Sequence, residues 1–485
     1  MLTRTSTQTL TSQLADRFAE RIRDRLLAPG ARLPSVRECA RQQGVSPHTV
    51  VAAYDQLLAQ GLVEARKQRG FFVRDSAAAK GGADAAGASA EAAAGAPARS
   101  APAVAAHPVA ADAGALIRGM LYRPSDKPQP GMGVFPPDWL ESTFMPSAVR
   151  RVTGTKALQE FSLKYGEPFG DSGLRRSLAT KLTGINVPAG PDQILTTVGA
   201  THALDIVSRT LLRPGDPVMV EEPGWALEFA RLEALGMRIL PVPRGAEGPD
   251  LQVMERYCSA DEAHRPKLFV SVSVLHNPTG YSLTPGSAHR VLQLANRYDF
   301  RIVEDDTYSH LAPEHATRLC AMDGLQRSIY VSGFAKILAP NWRIGFLAAS
   351  PDMIGRLLET KLITTLTTPS LFERALALCI DQGQLRRHAE RIRVRLDGAR
   401  ARSVQLALAA GCRLASEPAG LFGWLDTGVD TDALTQRMLD KGYLIAPGSL
   451  FHARRPPGTL MRINFATAQD AEFWRVFERE RDGMR

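Results

Sequence analysis

Residues 332–345 read SGFAKILAPNWRIG and decide the fold of the larger part of this chain. The stretch overlaps the apolar strand pattern SIYVS at residues 328–332, so we expect Lys336 just past the carboxyl end of a strand. Ligands of open α/β sheets bind at that edge. A single lysine is usually a solvated surface charge, but Arg343 follows seven residues later and suits a phosphate group, which makes the stretch as a whole specific.

Two further strand patterns end on polar residues. Asp305 lies at the end of FRIVEDD with Tyr308 three residues on, and Asn277 follows LFVSVSVL in the turn HNPTG. A buried carboxylate at Asp305 can pair with a pyridinium nitrogen, and Tyr308 and Asn277 can donate to a ring oxygen. Strand alternation directs the neighbouring carboxylates elsewhere. A solvated acidic loop and an ordinary Asn-Pro turn are the alternatives.

The remaining parts of this candidate site lie upstream. Ala200 and Thr201 open a helix whose backbone N–H groups can bind phosphate, and Ser332 is a further phosphate candidate. Trp225, in EEPGW, can stack on a ring, or it can be a core tryptophan. A lysine that forms an imine, an acid, ring-oxygen donors, an aromatic side chain and an anion cradle together are what a pyridoxal-phosphate (PLP) site needs.

Residues 10–74 predict three helices followed by two short strands. The first helix has an apolar face with a spacing of four: Leu14, Phe18, Ile22 and Leu26. A capping box of Ser35 and Glu38 starts the second helix, and Ser46-Pro47 starts the third. The strands flank a basic turn that contains Lys67. A helix-turn-helix with such a wing places its third helix in the major groove and its wing cations on phosphate or in the minor groove.

Composition and charge limit the class of protein. Of the formal net charge of +9, residues 1–75 carry +5, which indicates contact with a polyanion or a solvated basic surface. The five cysteines are scattered, which predicts neither a disulfide framework nor a metal site and fits a cytoplasmic protein. We find no signal-peptide pattern and no apolar run long enough to span a membrane.

A low-complexity segment separates two modules. Residues 76–115 hold 21 Ala, 5 Gly and 3 Pro and no aromatic residue, which predicts a flexible linker. We therefore expect a multidomain chain with a DNA-binding domain at 1–75 and a PLP-binding effector domain at 116–485. Strands alternating with helices predict a mainly parallel α/β sheet in the second domain. Its large part is expected at about 165–375, and its small part at 116–164 and 376–485.

The N-terminal module resembles the winged helix-turn-helix domain of the GntR superfamily, through LPSVRECARQQGVSPHTVVAAYDQLLAQGLVEARKQRGFFV. The resemblance implies that the following residues contact DNA: Arg37, Ser46, His48, Thr49, Arg69 and Gly70. Pro47 stands where many relatives carry a polar residue, which shifts base contacts toward His48.

The second module resembles the fold-type I aminotransferases through VGATHAL, EEPGW, HNPTG, VEDDTY, SGFAK, LAPNWRIG and LMRINFA. The resemblance implies the cofactor roles given above. It also implies that Arg462 holds a ligand carboxylate and that Tyr165 reaches the phosphate of a partner subunit. Two positions depart from the family: Gly333 lies where Ser or Thr is common, and Trp225 stands where Tyr is usual.

The two modules in this order resemble the MocR subfamily of bacterial regulators. The resemblance implies a PLP-binding homodimer that regulates genes of amino-compound or vitamin B6 metabolism and senses a small amino compound. A catalytically active aminotransferase carrying a DNA-binding domain is the alternative from another class. A sensor of PLP alone is a third, but it would leave Arg462 without a carboxylate. The effector, the operator and the sign of regulation cannot be read from the sequence.

Overall fold

The computed structural model describes residues 9–23, 27, 30–66, 70–74, 127–154, 156, 159 and 162–485. Its contacts divide the chain into two compact units, Met1–Pro124 and Ser125–Arg485. The expected linker at 76–115, and the residues Leu26, Lys67 and Arg69, lie outside the described residues.

The described residues of the first unit form three helices and a two-stranded antiparallel sheet: α1 (Leu10–Arg23), α2 (Val36–Gln43), α3 (Pro47–Ala59), β1 (Val63–Arg66) and β2 (Gly70–Val73). The expected apolar face of α1 is buried at Leu14, Phe18 and Ile22. Tyr54 of α3 is fully buried, packs edge-on against Phe18, and donates its hydroxyl to the Pro34 carbonyl at 2.9 Å.

Side-chain caps set where α2 and α3 begin. The Ser35 hydroxyl accepts the Glu38 backbone N–H at 3.3 Å, and the Ser46 hydroxyl accepts that of Thr49 at 3.1 Å. Each bond satisfies a donor that the first turn of a helix leaves without an intrahelical partner. Gly44 ends α2 with a φ of 65°, a left-handed conformation that glycine adopts without strain. The local sequence therefore determines both ends of the turn between the two helices.

The second unit contains thirteen described helices and eleven strands, with several single turns of 3₁₀-helix. The helices are α4 (Pro137–Leu140), α5 (Phe144–Val152), α6 (Ser172–Thr183), α7 (Ala200–Leu211), α8 (Ala226–Ala234), α9 (Leu251–Cys258), α10 (Pro285–Tyr298), α11 (Leu319–Asp323), α12 (Pro351–Thr364), α13 (Ser370–Asp381), α14 (Gln384–Ala409), α15 (Thr431–Asp440) and α16 (Ala471–Asp482). The strands are β3 (Ile194–Val198), β4 (Pro217–Glu222), β5 (Arg238–Pro243), β6 (Leu268–Ser271), β7 (Arg301–Asp305), β8 (Ser328–Gly333), β9 (Ile344–Ala348), β10 (Arg413–Leu414), β11 (Phe422–Asp426), β12 (Ala446–Pro447) and β13 (Leu460–Asn464).

Seven strands form the large sheet in the order β3-β9-β8-β7-β6-β4-β5. The five neighbours from β8 to β5 run parallel, and β9 is antiparallel to both of its neighbours. The expectation of a mainly parallel α/β sheet is confirmed. Because the carboxyl ends of β6, β7 and β8 meet at one edge, residues that follow these strands come together there.

Helices cover both faces of this sheet. Alternation sends Val218 and Val220 of β4 into one buried cluster, with α7 and α12, and Met219 into another, with α9 and α10. The strands are therefore buried on both sides, which accounts for their nearly continuous apolar sequences.

The smaller sheet is antiparallel, in the order β10-β11-β13-β12. Arg462 lies in β13 with Trp424 and Ala446 as its cross-strand neighbours. The segment before α4 is joined to this sheet, since Asn464 donates its backbone N–H to the Pro130 carbonyl at 2.8 Å. Among the described residues, no helix is long and apolar enough to cross a bilayer.

Candidate functional site

The carboxyl edge of the large sheet brings together the polar residues expected there. Asp305 is the last residue of β7, Lys336 lies three residues beyond β8, and Asn277 lies in the loop after β6. Two elements remote in sequence complete the pocket. They are Gly133, from the segment before α4, and Arg462, from the smaller sheet: a Cβ added to Gly133 would lie 3.6 Å from the Lys336 Nζ and 3.9 Å from the Arg462 Nη1.

The amine of Lys336 has a lowered pKa in this pocket. Its Nζ donates to the Gly133 carbonyl at 2.6 Å. Desolvation in the pocket, reinforced by the Arg462 guanidinium, lowers the pKa of Lys336 to about 8, against the attraction of Asp305. The neutral, nucleophilic form of the amine is therefore far more populated near neutral pH than in an ordinary lysine, although it remains the minor form.

Asp305 is the carboxylate that the fold leaves for a ligand. Its Oδ1 accepts the Thr307 backbone N–H at 3.0 Å and the Thr307 hydroxyl, while burial raises the pKa of Asp305 to about 6. The two neighbouring carboxylates are engaged elsewhere, as strand alternation predicts. Glu304 accepts the backbone N–H groups at the start of α11, and Asp306 is paired with Arg318 at 2.6 Å. A cation next to Asp305 would relieve the cost of burying its charge.

Arg462 contacts both Asn277, a candidate ring-oxygen donor, and the aromatic ring of Phe422. Its Nη1 donates to the Asn277 Oδ1 at 3.1 Å and its Nη2 to the Gly131 carbonyl at 2.5 Å, while its buried Nε has no hydrogen-bond partner among the described residues. The guanidinium carbon lies 4.3 Å from the Phe422 ring centre. Burial lowers the pKa of Arg462 to about 10, so the group stays charged at neutral pH. A buried guanidinium with one donor nitrogen still without a partner is suited to a carboxylate ligand.

Tyr308 lies beside Asn277 as the sequence predicts. Its ring is buried edge-on against Phe422, at a centroid distance of 5.6 Å, and its hydroxyl lies near the Asn277 side chain. Burial raises the pKa of Tyr308, so the hydroxyl keeps its proton at neutral pH. The pair can therefore present donors to a ring oxygen.

An anion cradle lies at the start of α7. Gly199 precedes the helix with a φ of 82°, and the half-buried Ala200 and Thr201 form its first turn, where backbone N–H groups lack intrahelical partners. The Arg343 guanidinium lies against this turn: its Nη2 donates to the Val198 carbonyl at 3.2 Å, and a Cβ on Gly199 would come within 2.5 Å of that nitrogen. The close approach requires glycine, and the combination suits phosphate.

Ser332 and Gly333 are adjacent in the chain but face different parts of the domain. Its buried hydroxyl donates to the Asp306 carbonyl at 2.9 Å. Gly333 is the residue that faces α7, since a Cβ there would lie 3.4 Å from the Ala200 nitrogen. Phosphate binding by Ser332 remains a prediction, and the geometry gives its hydroxyl another partner.

Trp225 and Tyr165 are the two remaining candidates, and they differ in exposure. Trp225 is half-buried immediately before α8, consistent with either a stacking or a packing role. Tyr165 is 83% exposed, and Leu163 and Ile363 are 82% and 87% exposed. A contribution of Tyr165 to a partner subunit remains a prediction.

A buried charge network that the sequence analysis missed lies behind Asn277. Glu221 accepts the Val272 backbone N–H at 2.8 Å, is paired with the fully buried Arg244 at 3.3 Å, and lies 3.6 Å from the His276 Nε2. The other ring nitrogen of His276 is 2.9 Å from the Thr279 hydroxyl. The network fixes the loop that carries Asn277. Glu221 and His276 lie inside quoted motifs, but no local pattern connects them with Arg244.

The candidate DNA residues lie on the surface of the first unit. Arg37, Ser46 and His48 are exposed near the starts of α2 and α3, and Thr49 is half-buried. Gly70 is exposed at the start of β2 with a φ of 102°. The Ser46 hydroxyl also contacts that of Thr49 at 2.8 Å, so it shapes the start of α3 as well as any DNA contact.

Comparisons with known proteins agree with both units. Residues 140–479 match the family model "Aminotransferase class I and II", and residues 10–73 match "Bacterial regulatory proteins, gntR family". The uncharacterized HTH-type transcriptional regulator YdcR of Escherichia coli is 28% identical over 98% of this chain and 97% of its own length. The probable rhizopine catabolism regulatory protein MocR of Rhizobium meliloti is 29% identical, over 77% and 73%.

Solved structures of aminotransferases have the same fold. The α-aminoadipate aminotransferase LysN of Thermus thermophilus, complexed with N-(5'-phosphopyridoxyl)-L-leucine, superposes with a TM-score of 0.69 and 25% identity, covering 76% of this chain and 95% of that one. The kynurenine aminotransferase of Pyrococcus horikoshii, complexed with pyridoxamine phosphate (PMP), gives 0.69 and 26%, with 76% and 93% coverage.

PLP is the cofactor of this family, and the residues present fit it. Asp305 is partly buried and has no salt-bridge partner among the described residues, so a pyridinium nitrogen could pair with it. The α7 cradle with Arg343 has the geometry of a phosphate site. The chain belongs to the class I and II aminotransferase family and, through its N-terminal GntR-type helix-turn-helix domain, to the MocR subfamily of transcriptional regulators.

Proposed function

We propose that this protein binds operator DNA through residues 1–75 and changes its action on transcription when a small amino compound with a carboxylate enters the Lys336 pocket. The observation that carries this proposal is the buried Arg462, which shares a pocket with Lys336 and whose Nε has no hydrogen-bond partner in the described part of the chain. We infer that the controlled genes serve amino-compound or vitamin B6 metabolism and that the protein acts in the cytoplasm.

The pocket residues divide the work of holding the cofactor. PLP supplies an aldehyde that reacts with amines and a ring that withdraws electrons. Asp305 keeps the ring nitrogen protonated, and Tyr308 and Asn277 donate to the ring oxygen. The remaining candidates within the subunit hold the phosphate and the ring face: Ala200, Thr201, Ser332, Arg343 and Trp225. Tyr165 reaches the phosphate in the partner subunit. Lys336 provides the amine that attaches the cofactor to the chain.

The effector is recognised by its charge. Its carboxylate pairs with Arg462, and its amine competes with that of Lys336. PLP alone has no carboxylate for Arg462, so only an amino acid engages both residues. Such a ligand shifts the protein between two states only by its difference in affinity for them. Contacts that a carboxylate forms in one state only supply a coupling of about 1–3 kcal/mol.

The test measures operator binding and promoter output with a panel of amino acids and with PLP alone. We expect Lys336→Ala to retain the fold and basal DNA binding and to lose the response. Arg462→Ala is expected to keep PLP but weaken the active amino acid about 10–100-fold, the value of a lost charged hydrogen bond. The exposed Arg454→Ala is the matched control. A normal amino-acid response of Lys336→Ala would refute amine exchange and favour the sensor of PLP alone.

A catalytically active aminotransferase tethered to DNA is the second candidate. It is supported by the approach of Asp305 and Arg462 to Lys336 and by the pKa of about 8 of that amine. Steady-state amino transfer by the purified protein, with turnover that Lys336→Ala abolishes, would favour the enzyme. A single half-reaction without turnover would favour the regulator.

We also propose a homodimer. The exposed Tyr165 and the apolar Leu163, Ile363 and Leu366 are side chains that a subunit interface would cover. Sedimentation of the full chain tests this proposal, and a monomer with full PLP affinity and full DNA affinity would contradict it.

The DNA contacts assigned to residues 37–49 and to the wing are tested by measuring the preference of the protein for particular bases. His48→Ala is expected to relax that base preference.

A further inference from the structure

The positive charge of the C-terminal domain is concentrated on one helix. The 26-residue α14 contains seven arginines and two acidic residues, Glu390 and Asp397. The rest of residues 116–485 contains 38 basic and 38 acidic residues. This helix therefore accounts for the entire net charge of +5 of residues 116–485.

The arginines also share a face. At 3.6 residues per turn, Arg387, Arg391, Arg395 and Arg402 fall within an arc of about 80°; they are called the arginine stripe below. All four are exposed, and the residues between them on that face include Val394, which is 74% exposed, and Gly398. The two acidic residues of the helix project on another side. The four arginines of the stripe thus lie together on a solvent-facing side of the helix.

Most of the stripe lacks a carboxylate partner. Among the described residues, Arg387 donates to the Gln382 carbonyl, Arg391 contacts the His388 ring and Arg402 donates to the Gln469 carbonyl, and none of the three has an acidic group within 4.0 Å. Arg395 is paired with Asp138 at 2.7 Å and stacks on Trp139. Three guanidinium groups therefore keep most of their donors available.

We propose that the arginine stripe binds the phosphate backbone of the same duplex DNA that the winged helix binds, an inference that rests on the proposed DNA-binding function. The stripe spans about 22 Å at 1.5 Å per residue. This length matches about six base-pair steps of 3.4 Å. Guanidinium groups bind phosphate bidentately and carry no sequence information, so the stripe adds affinity without altering base preference.

Duplex DNA is favoured over another polyanion because the same chain carries a DNA-binding domain. DNA held by that domain is present at a high effective concentration around the rest of the chain. Contacts that are weak on their own then contribute to the total affinity.

The experiment uses the full chain and a labelled random-sequence duplex several helical turns long, with affinity measured across a salt series. The variant is Arg387→Gln/Arg391→Gln/Arg402→Gln. The matched control, Arg213→Gln/Arg256→Gln/Arg290→Gln, removes three exposed charges elsewhere on the same domain. We expect the stripe variant to reduce the slope of log K against log salt by about 2–3 units, at about 0.9 per lost phosphate contact, and the control to leave it unchanged.

The outcomes separate the two proposals. If the wild-type chain binds DNA and the stripe and control variants have equal slopes, the stripe does not contact DNA. If the wild-type chain binds no duplex, the proposed function fails and this inference fails with it. Phosphatidylserine vesicles form a second arm: loss of vesicle binding with an unchanged DNA slope would assign the stripe to a membrane and overturn the inference. Equal melting temperatures verify that the variants are folded.

Discussion

The residues proposed to read DNA and the residues of the Lys336 pocket differ in where they lie in the chain and in how far water reaches them. The described DNA candidates fall between residues 37 and 70, on helix starts and a wing, and most are exposed. The pocket gathers Gly133, Asn277, Asp305, Lys336 and Arg462 from across the domain, and it perturbs the pKa of each ionisable group among them.

The difference follows from what each region binds. Solvent-exposed donors and cations bind a polyanion such as DNA. A few short helices with side-chain caps are enough to position them. A cofactor that must be held away from water requires buried charges, which are costly until a ligand of opposite charge arrives. We therefore expect substitutions in the pocket to change binding and stability strongly, and those on the winged helix to change stability little.

The largest effect is expected for covalent attachment of the cofactor. Lys336→Ala should abolish PLP fixed to the chain by borohydride, as measured by mass spectrometry of peptides. Lys361 is a stringent control, because burial also lowers its pKa to about 8 while its Nζ donates to the Pro168 carbonyl at 2.7 Å. Lys361→Met should leave the fixed PLP unchanged. Label on Lys361 in the wild-type chain would show that a low pKa, rather than position, selects the amine.

Replacing either of two adjacent carboxylates at the end of β7 by an amide should change the stability of the domain in opposite directions. Asp306→Asn breaks a fully buried pair with Arg318 and should destabilise the domain by about 3–5 kcal/mol. Asp305→Asn should weaken PLP binding yet stabilise the cofactor-free domain at neutral pH by about 3 kcal/mol, because the pKa of Asp305 is raised to about 6 and its charge is costly above that pH. Denaturant titration with and without PLP measures both. Equal destabilisation would contradict the separate roles.

Lys336 should also destabilise the cofactor-free domain in a pH-dependent manner. Its pKa is about 8 in the folded chain and near 10.5 when unfolded, so the folded state loses stability as pH falls from about 10.5 to 8. Lys336→Met should therefore be more stable than the wild type by about 3 kcal/mol at pH 7, with the gap closing toward pH 10.5. A gap independent of pH would show that packing, not charge, is responsible.

The smallest effect concerns the winged helix. Ser46→Ala removes the cap of α3 and should cost about 1 kcal/mol, measured by denaturation of the N-terminal unit. The exposed His48→Ala should change stability by less than about 0.5 kcal/mol. If the two variants are equally destabilised, His48 is a structural residue and its assignment to base contact loses its main support.

Local sequence was sufficient wherever a feature depends on neighbours in the chain. The caps at Ser35 and Ser46 and the strand-end positions of Asp305 and Lys336 all lie where the sequence indicates, because hydrogen bonds three residues apart and strand alternation are short-range effects. The family motifs also predicted the PLP cofactor and the winged helix, and the comparisons confirm both families.

Other features required long-range packing. The sequence does not show that Gly133 approaches Lys336, that Ser332 turns to Asp306 while Gly333 faces the α7 cradle, or that Arg244 joins Glu221 behind Asn277. These contacts join residues that are remote in the chain or depend on which way a side chain is rotated, and both are set by how sheets and helices pack.

The sequence by itself determined the two modules, their order, the cofactor chemistry and the residues able to carry it, because these depend on local patterns and motifs. Only the tertiary structure decided which of these residues share a pocket and what that pocket does to their charges. Desolvation and ion pairing depend on every atom within several ångströms, and the charged groups that shift the pKa of Lys336 include Asp305 and Arg462, which are remote from it in the chain.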